Sequence, residues 1–151
     1  MQSLDDAFST PNRPHVDTRS LAECMEACAA CEIACLGCAD ACLTETDLVA
    51  LRRCIRLDLD CADVCGATLR LLARSVDGDA KLLRAVVEAC ARACATCGAE
   101  CHLHENDHEH CRVCAEACRH CAERCGRVLR DLPDTYGGTH PPEPGNGAEV
   151  P

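Results

Sequence analysis

Aromatic side chains are all but missing from this 151-residue chain: Phe8 and Tyr136 are the only two, and tryptophan is absent. Each buried aromatic normally supplies about 150–250 Å² to a core, so whatever fills this interior is smaller. Methionine is almost as scarce, at Met1 and Met25. Long apolar runs are lacking too, and no stretch approaches a transmembrane span. Met1 to Pro14 has no basic n-region, no apolar segment and no twin arginine, so no signal peptide is expected and the chain reads as cytoplasmic. Positive charge is in short supply: 15 Lys and Arg face 25 Asp and Glu, for a net charge of −10. That balance argues against nucleic acid and anionic membrane as partners.

What the chain has instead is cysteine, 18 of them. Cys24, Cys28, Cys31, Cys35, Cys38 and Cys42 are spaced 4, 3, 4, 3, 4. Residues three and four apart share one face of an α-helix. The segment is therefore a helix bearing a thiol stripe roughly 27 Å long at 1.5 Å per residue. The rhythm returns in Cys90, Cys94, Cys97 and Cys101, again in Cys111, Cys114, Cys118, Cys121 and Cys125, and more sparsely in Cys54, Cys61 and Cys65. These positions are the ones that carry Leu and Ile in an ordinary bundle. A disulfide scaffold is disfavoured, because Cβ atoms one turn apart lie about 5–6 Å from each other whereas a disulfide needs about 3.5–4.5 Å.

The rest of the chain supplies caps and breaks. Asp17, Thr18 and Ser20 offer N-caps, Ser20 with Glu23 fits a capping box, and the first helix is expected to run to about Leu43. Ala27, Ala34 and Ala41 recur beside its thiols and allow close helix approach. Thr46 or Asp47 can cap a second helix ending near Ser75. Its inward row reads Cys54, Asp58, Cys61, Cys65, Thr68 or Leu69, and Leu72. Asp77-Gly78-Asp79 is a turn, and a third helix follows to about His104. Asn106, with Glu109 three residues later, is a candidate cap for the fourth helix, which Pro133 stops.

These features predict an all-α, up-down-up-down four-helix bundle over residues 17–132. Residues 1–16 are expected to form a flexible arm, and the Pro- and Gly-rich residues 133–151 a disordered tail. In this topology the helix 1–2 and helix 3–4 connections share one end, the mouth. Leu69, Leu72, Leu82, Leu83, Val86, Val128, Leu129 and Leu132 gather at the other end as an aliphatic plug.

One buried cysteine is ordinarily a small hydrophobe. Eighteen on coherent stripes point to metal, since soft thiolates select Cu(I), Zn(II) or iron–sulfur clusters. Charge separates these. Cu(I) replacing a thiol proton leaves the lumen's charge unchanged, whereas a tetrathiolate zinc site carries −2, and no Arg or Lys lies on the stripes to offset it. No cysteine precedes a proline, as one does in common iron–sulfur motifs. His104, three beyond Cys101, and His108, three before Cys111, extend inward rows and are candidate mouth ligands. His102, His110 and His120 read as solvated surface residues. Asp58 is either a lumenal ligand or a helix-face carboxylate, and an oxygen is a poor first choice for Cu(I).

The repeated CxxxCxxC pattern across about Ser20 to Leu132 resembles the bacterial copper storage proteins, a family of cysteine-rich four-helix bundles. The resemblance implies multiple Cu(I) ions held by lumenal thiolates, and a homotetramer. The family's exported branch carries methionines at its mouth. The scarcity of methionine here, and the histidines, fit the cytosolic branch. The expected function is thus non-enzymatic Cu(I) storage and detoxification, with copper delivered by a chaperone or a small-molecule thiol. A metallothionein-like zinc buffer and an iron–sulfur electron-transfer protein are the alternatives.

Overall fold

A computed structural model describes residues 16–75 and 78–132. Four helices account for nearly all of them: α1 (Thr18–Cys42), α2 (Leu48–Ala73), α3 (Ala80–His102) and α4 (Glu109–Asp131). Each packs on its two neighbours in the order α1–α2–α3–α4–α1, and the diagonal pairs make no close backbone contact among the described residues. This is the predicted up-down-up-down bundle, and its short connections follow from antiparallel neighbours.

Aspartates start three of the helices. Asp17 Oδ2 accepts from the Ser20 backbone N–H at 3.0 Å and from its hydroxyl at 3.1 Å. The cap is therefore Asp17, and Ser20 sits inside the first turn. Glu23 does not complete a capping box; its carboxylate takes Arg19 at 3.2 Å and Arg124 at 2.6 Å. Asp47 and Asp79 cap α2 and α3 through their side-chain oxygens. The cap of α4 is His108, not Asn106, and it makes no side-chain capping bond. The chain turns early because the Asp107 and His108 amides already bond to the His104 carbonyl, at 3.2 and 3.0 Å. The imidazole of His108 is committed to Glu45 instead.

The far end is closed by aliphatics in the thiol rhythm. Leu83 and Val87 continue the 4, 3, 4 series back from Cys90, and Val128 and Leu132 continue it forward from Cys125; all four are buried, as are Leu21, Met25 and Leu72. Two members of the expected plug differ. Leu82 is exposed, and Val87 rather than Val86 takes the inward place. Leu69 and Leu129 are half-buried against the core, and so is Arg84, which reaches across to donate to the Leu129 and Leu132 carbonyls at 3.2 and 2.6 Å. Val16, assigned to the N-terminal arm, is packed against the core. The remainder of the arm, the tail with Pro133, and Asp77 lie outside the described residues. Close helix approach is visible at Gly98, where a Cβ would come within 3.1 Å of the Cys118 Cβ.

Candidate metal centre

The helical rhythm points all eighteen cysteines inward. Every one is buried and none is in a disulfide. Because the four stripes converge, the sulfurs form a connected column along the bundle axis. At the plugged end Cys24 lies 3.8 Å from Cys125. Cys28 follows, 3.7 Å from Cys121 and 3.9 Å from Cys90. Cys65 links Cys90 to Cys94 at 3.8 and 3.6 Å, and Cys94 leads on to Cys61 at 3.7 Å. In the middle, Cys31 has Cys61, Cys94 and Cys118 within 3.9 Å. Cys35 then reaches Cys114 at 3.6 Å and Cys97 at 4.0 Å. Toward the mouth Cys54 meets Cys101 at 3.5 Å, and Cys38 meets Cys111 at 3.8 Å. Sets of four sulfurs lie within 4.8 Å of one another, and from Cys28, Cys90, Cys121 and Cys125 to Cys35, Cys97, Cys114 and Cys118 each set shares a member with the next; Cys38, Cys42, Cys54 and Cys111 form a separate set at the mouth.

Asp58 stands in this column and is not on an outer helix face. It occupies a slot of the same 3.6-residue rhythm and is completely buried. Its Oδ1 accepts from the thiols of Cys97, Cys101 and Cys114 at 3.0, 3.3 and 3.3 Å, and its Oδ2 from Cys54 at 3.7 Å. Burial, followed by the neighbouring Cys114, pushes its carboxyl up from 3.8 to about 8. Burial likewise pushes the thiol of Cys42 up to about 12 and raises that of Cys111. An ion that takes the place of the proton suits such a site; one that leaves net charge behind does not.

The histidines divide differently from the sequence expectation. His110, read as a surface residue, turns its Nδ1 into the mouth, 3.5 Å from the sulfurs of Cys38 and Cys111 and 3.9 Å from Cys42. It lies four residues before Cys114, a spacing that was available in the sequence. His108 stacks beside it, with ring centroids 5.2 Å apart, and sets its Nδ1 3.2 Å from Glu45. His104 directs Nε2 to Glu100 at 3.3 Å, not to a thiol. His102 pairs with Glu105 at the surface, and His120 is exposed. Leu51, one turn before Cys54, adds a buried aliphatic near the mouth that the sequence reading did not single out.

Comparison with known proteins agrees with this geometry. The pattern of the copper storage protein family matches residues 17–130. The chain is similar to the copper storage protein Ccsp from Streptomyces lividans, solved with 10 copper equivalents: 49% identity, 85% of this chain and 99% of that one covered, TM-score 0.81. A five-copper structure of a cytosolic copper storage protein from the same organism gives 52% identity, 76% and 96% coverage and a TM-score of 0.75. Cu(I)-bound BsCsp3 of Bacillus subtilis gives 39% identity, 70% and 94% coverage and a TM-score of 0.63. No helix among the described residues is long and apolar enough to cross a membrane. A thiol column of this kind, a family pattern spanning the whole bundle and close structural likeness to copper-loaded proteins converge: this chain belongs to the copper storage protein family.

Proposed function

We propose that the chain stores Cu(I) in the cytosol and so limits copper toxicity, holding many ions along its lumen through the eighteen thiolates. The observation that carries this is the sulfur column: neighbouring Sγ atoms lie 3.6–4.0 Å apart in one run from Cys28 and Cys121 to Cys97 and Cys114 and 3.5–4.0 Å apart among Cys38, Cys54, Cys101 and Cys111, Asp58 bridges the two runs, and Cys125 joins Cys24 to the set of Cys28, Cys90 and Cys121. Sulfurs at that spacing can bridge adjacent Cu(I) ions, and each thiol proton lost offsets one Cu(I) gained. The lumen then stays near neutral at every stage of filling. Tetrathiolate zinc would accumulate −2 per ion in the same dry space.

Copper enters at the mouth. His110 is the first nitrogen ligand there, with His108 beside it, and passes copper to Cys38, Cys42 and Cys111; His104 belongs to the rim. Imidazole holds Cu(I) less firmly than thiolate, which suits transfer. Asp58 serves as an oxygen ligand or proton acceptor a few ångströms deeper. The exported relatives' methionine mouth has no counterpart among these residues, and the described S. lividans relative is cytosolic. Delivery by a protein chaperone or a small thiol, and assembly as a homotetramer, complete the reading. Exposed Ile33, Leu36 and Leu59 on the outer faces of α1 and α2 support the latter.

Anaerobic titration of the reduced apo-protein with Cu(I) and, separately, Zn(II) tests the proposal. Uptake of about one Cu(I) per thiol with much weaker zinc binding is expected. Equal avidity with about one Zn(II) per four thiols would favour a zinc buffer.

A further inference from the structure

At the mouth, Glu45 belongs to the α1–α2 connection, while His108 and His110 belong to the start of α4. One carboxylate oxygen of Glu45 spans the opening to both rings. Oε1 lies 3.0 Å from Nε2 of His110 and 3.2 Å from Nδ1 of His108. All three side chains are partly covered, with 33%, 21% and 22% of Glu45, His110 and His108 exposed. An ionised carboxylate can only accept. Nε2 of His110 therefore carries the proton in this contact. In a neutral imidazole the other nitrogen then holds the lone pair. That nitrogen, Nδ1, is the one facing Cys38, Cys111 and Cys42.

We infer that Glu45 is a positioning residue for copper uptake: by accepting Nε2–H of His110 it fixes the tautomer and ring orientation that aim the Nδ1 lone pair at the mouth thiols. The arrangement is a carboxylate–histidine pair of the kind that orients imidazole ligands at metal sites, with the metal side replaced here by three thiols. His108 contacts the same oxygen through Nδ1, and its stacking on His110 restricts rotation of that ring. Without Glu45, the His110 ring is free to carry its proton on Nδ1 or to rotate, and either change removes the lone pair from the path of the ion. Glu45 itself touches no thiol through any contact described, so it acts only through the histidine.

The inference rests on His110 being a mouth ligand, and the test separates the two. Full-length reduced protein and the variants Glu45→Ala, Glu45→Gln and His110→Ala are mixed with a Cu(I)–chelator complex in a stopped-flow instrument at one fixed pH. Final capacity is read from the plateau, and the His110 tautomer from long-range ¹H–¹⁵N correlations of the imidazole. Glu45→Ala is expected to lose the pure Nε2–H signature and to load about tenfold more slowly or worse, as loss of such an orienting partner typically does, with unchanged capacity. Glu45→Gln, whose amide oxygen still accepts, is expected to keep the tautomer and most of the rate. If His110→Ala is slow while Glu45→Ala keeps both the wild-type rate and the tautomer, the positioning role is overturned and the mouth-ligand reading stands. If Glu45→Gln is as slow as Glu45→Ala, the carboxylate acts through its charge and the inference is again overturned. If His110→Ala loads at the wild-type rate, the mouth-ligand reading fails and the positioning role of Glu45 in uptake is overturned with it.

Discussion

Replacing Asp58 with Asn asks what a carboxyl costs inside a column of thiols. Asp58 is fully buried, and its carboxyl is pushed up from 3.8 to about 8, first by burial and then by Cys114. The folded apo-protein thus holds this proton more tightly than the unfolded chain, where an Asp titrates near ~3.9. The corresponding stability is fully present below about pH 4 and is lost progressively as the pH rises through about 8. The slope cannot exceed about 1.4 kcal/mol per pH unit, so raising the pH from about 5 to about 7 removes at most about 3 kcal/mol through this one group. For a domain of this size that corresponds to a fall in Tm of roughly 10 °C. Asn has nearly the same shape and never ionises. Melting curves of reduced, metal-free wild type and Asp58→Asn, followed by circular dichroism at several pH values, therefore isolate the effect, because thiol contributions common to both cancel in the difference. The gap should move in favour of Asn as the pH rises across this window. A difference that stays flat, or that moves toward wild type, would refute the account of Asp58 as a desolvated carboxyl.

Three further outcomes are expected. Arg84→Met removes both side-chain bonds to the end of α4, so the apo-protein should lose about 2–4 kcal/mol in denaturant unfolding; an unchanged midpoint would show that the last turn of α4 needs no tether. Cys28→Ser with Cys125→Ser takes two sulfurs from the deep end of the column, and elemental analysis of the loaded protein should find about two fewer coppers while the early uptake rate is unaltered; a slowed first phase with full capacity would place copper admission at the far end. The reduced apo-protein should already give a strongly helical far-ultraviolet spectrum, since caps and aliphatic plug do not depend on metal; a coil spectrum would make folding conditional on copper, as in a zinc finger.

The helices were legible in the sequence because the 4, 3, 4 rhythm of cysteine is itself a helical signal and Gly, Pro and Asp mark the breaks. The polarity of the bundle was legible from chain order, since alternate connections must share an end. Details that depend on which of two adjacent residues turns inward were not. Val86 and Val87 are equally apolar, and only the register counted back from Cys90 selects Val87. Asp17, Thr18 and Ser20 all favour a helix start, and the choice of Asp17 depends on its carboxylate reaching two donors of Ser20 at once. His110 reads as a surface residue because it adjoins Cys111, a full 100° step around the helix from that thiol. Its relation to Cys114 four residues on, and the presence of Cys38 and Cys42 at the facing end of α1, bring its ring over the mouth. The Glu45 contact joins residues 65 apart and has no local signature.

The central claim is that copper occupies the sulfur column rather than the protein surface. Crystals of the Cu(I)-loaded protein, measured at energies on either side of the copper absorption edge, test it most directly. Anomalous peaks should string along the bundle axis between the Sγ atoms from Cys24 and Cys125 to Cys38, Cys54 and Cys111, each within bonding reach of two or more sulfurs, with a further peak beside Nδ1 of His110. Peaks confined to surface carboxylates and outer histidines, with the eighteen sulfurs left without metal neighbours, would contradict it.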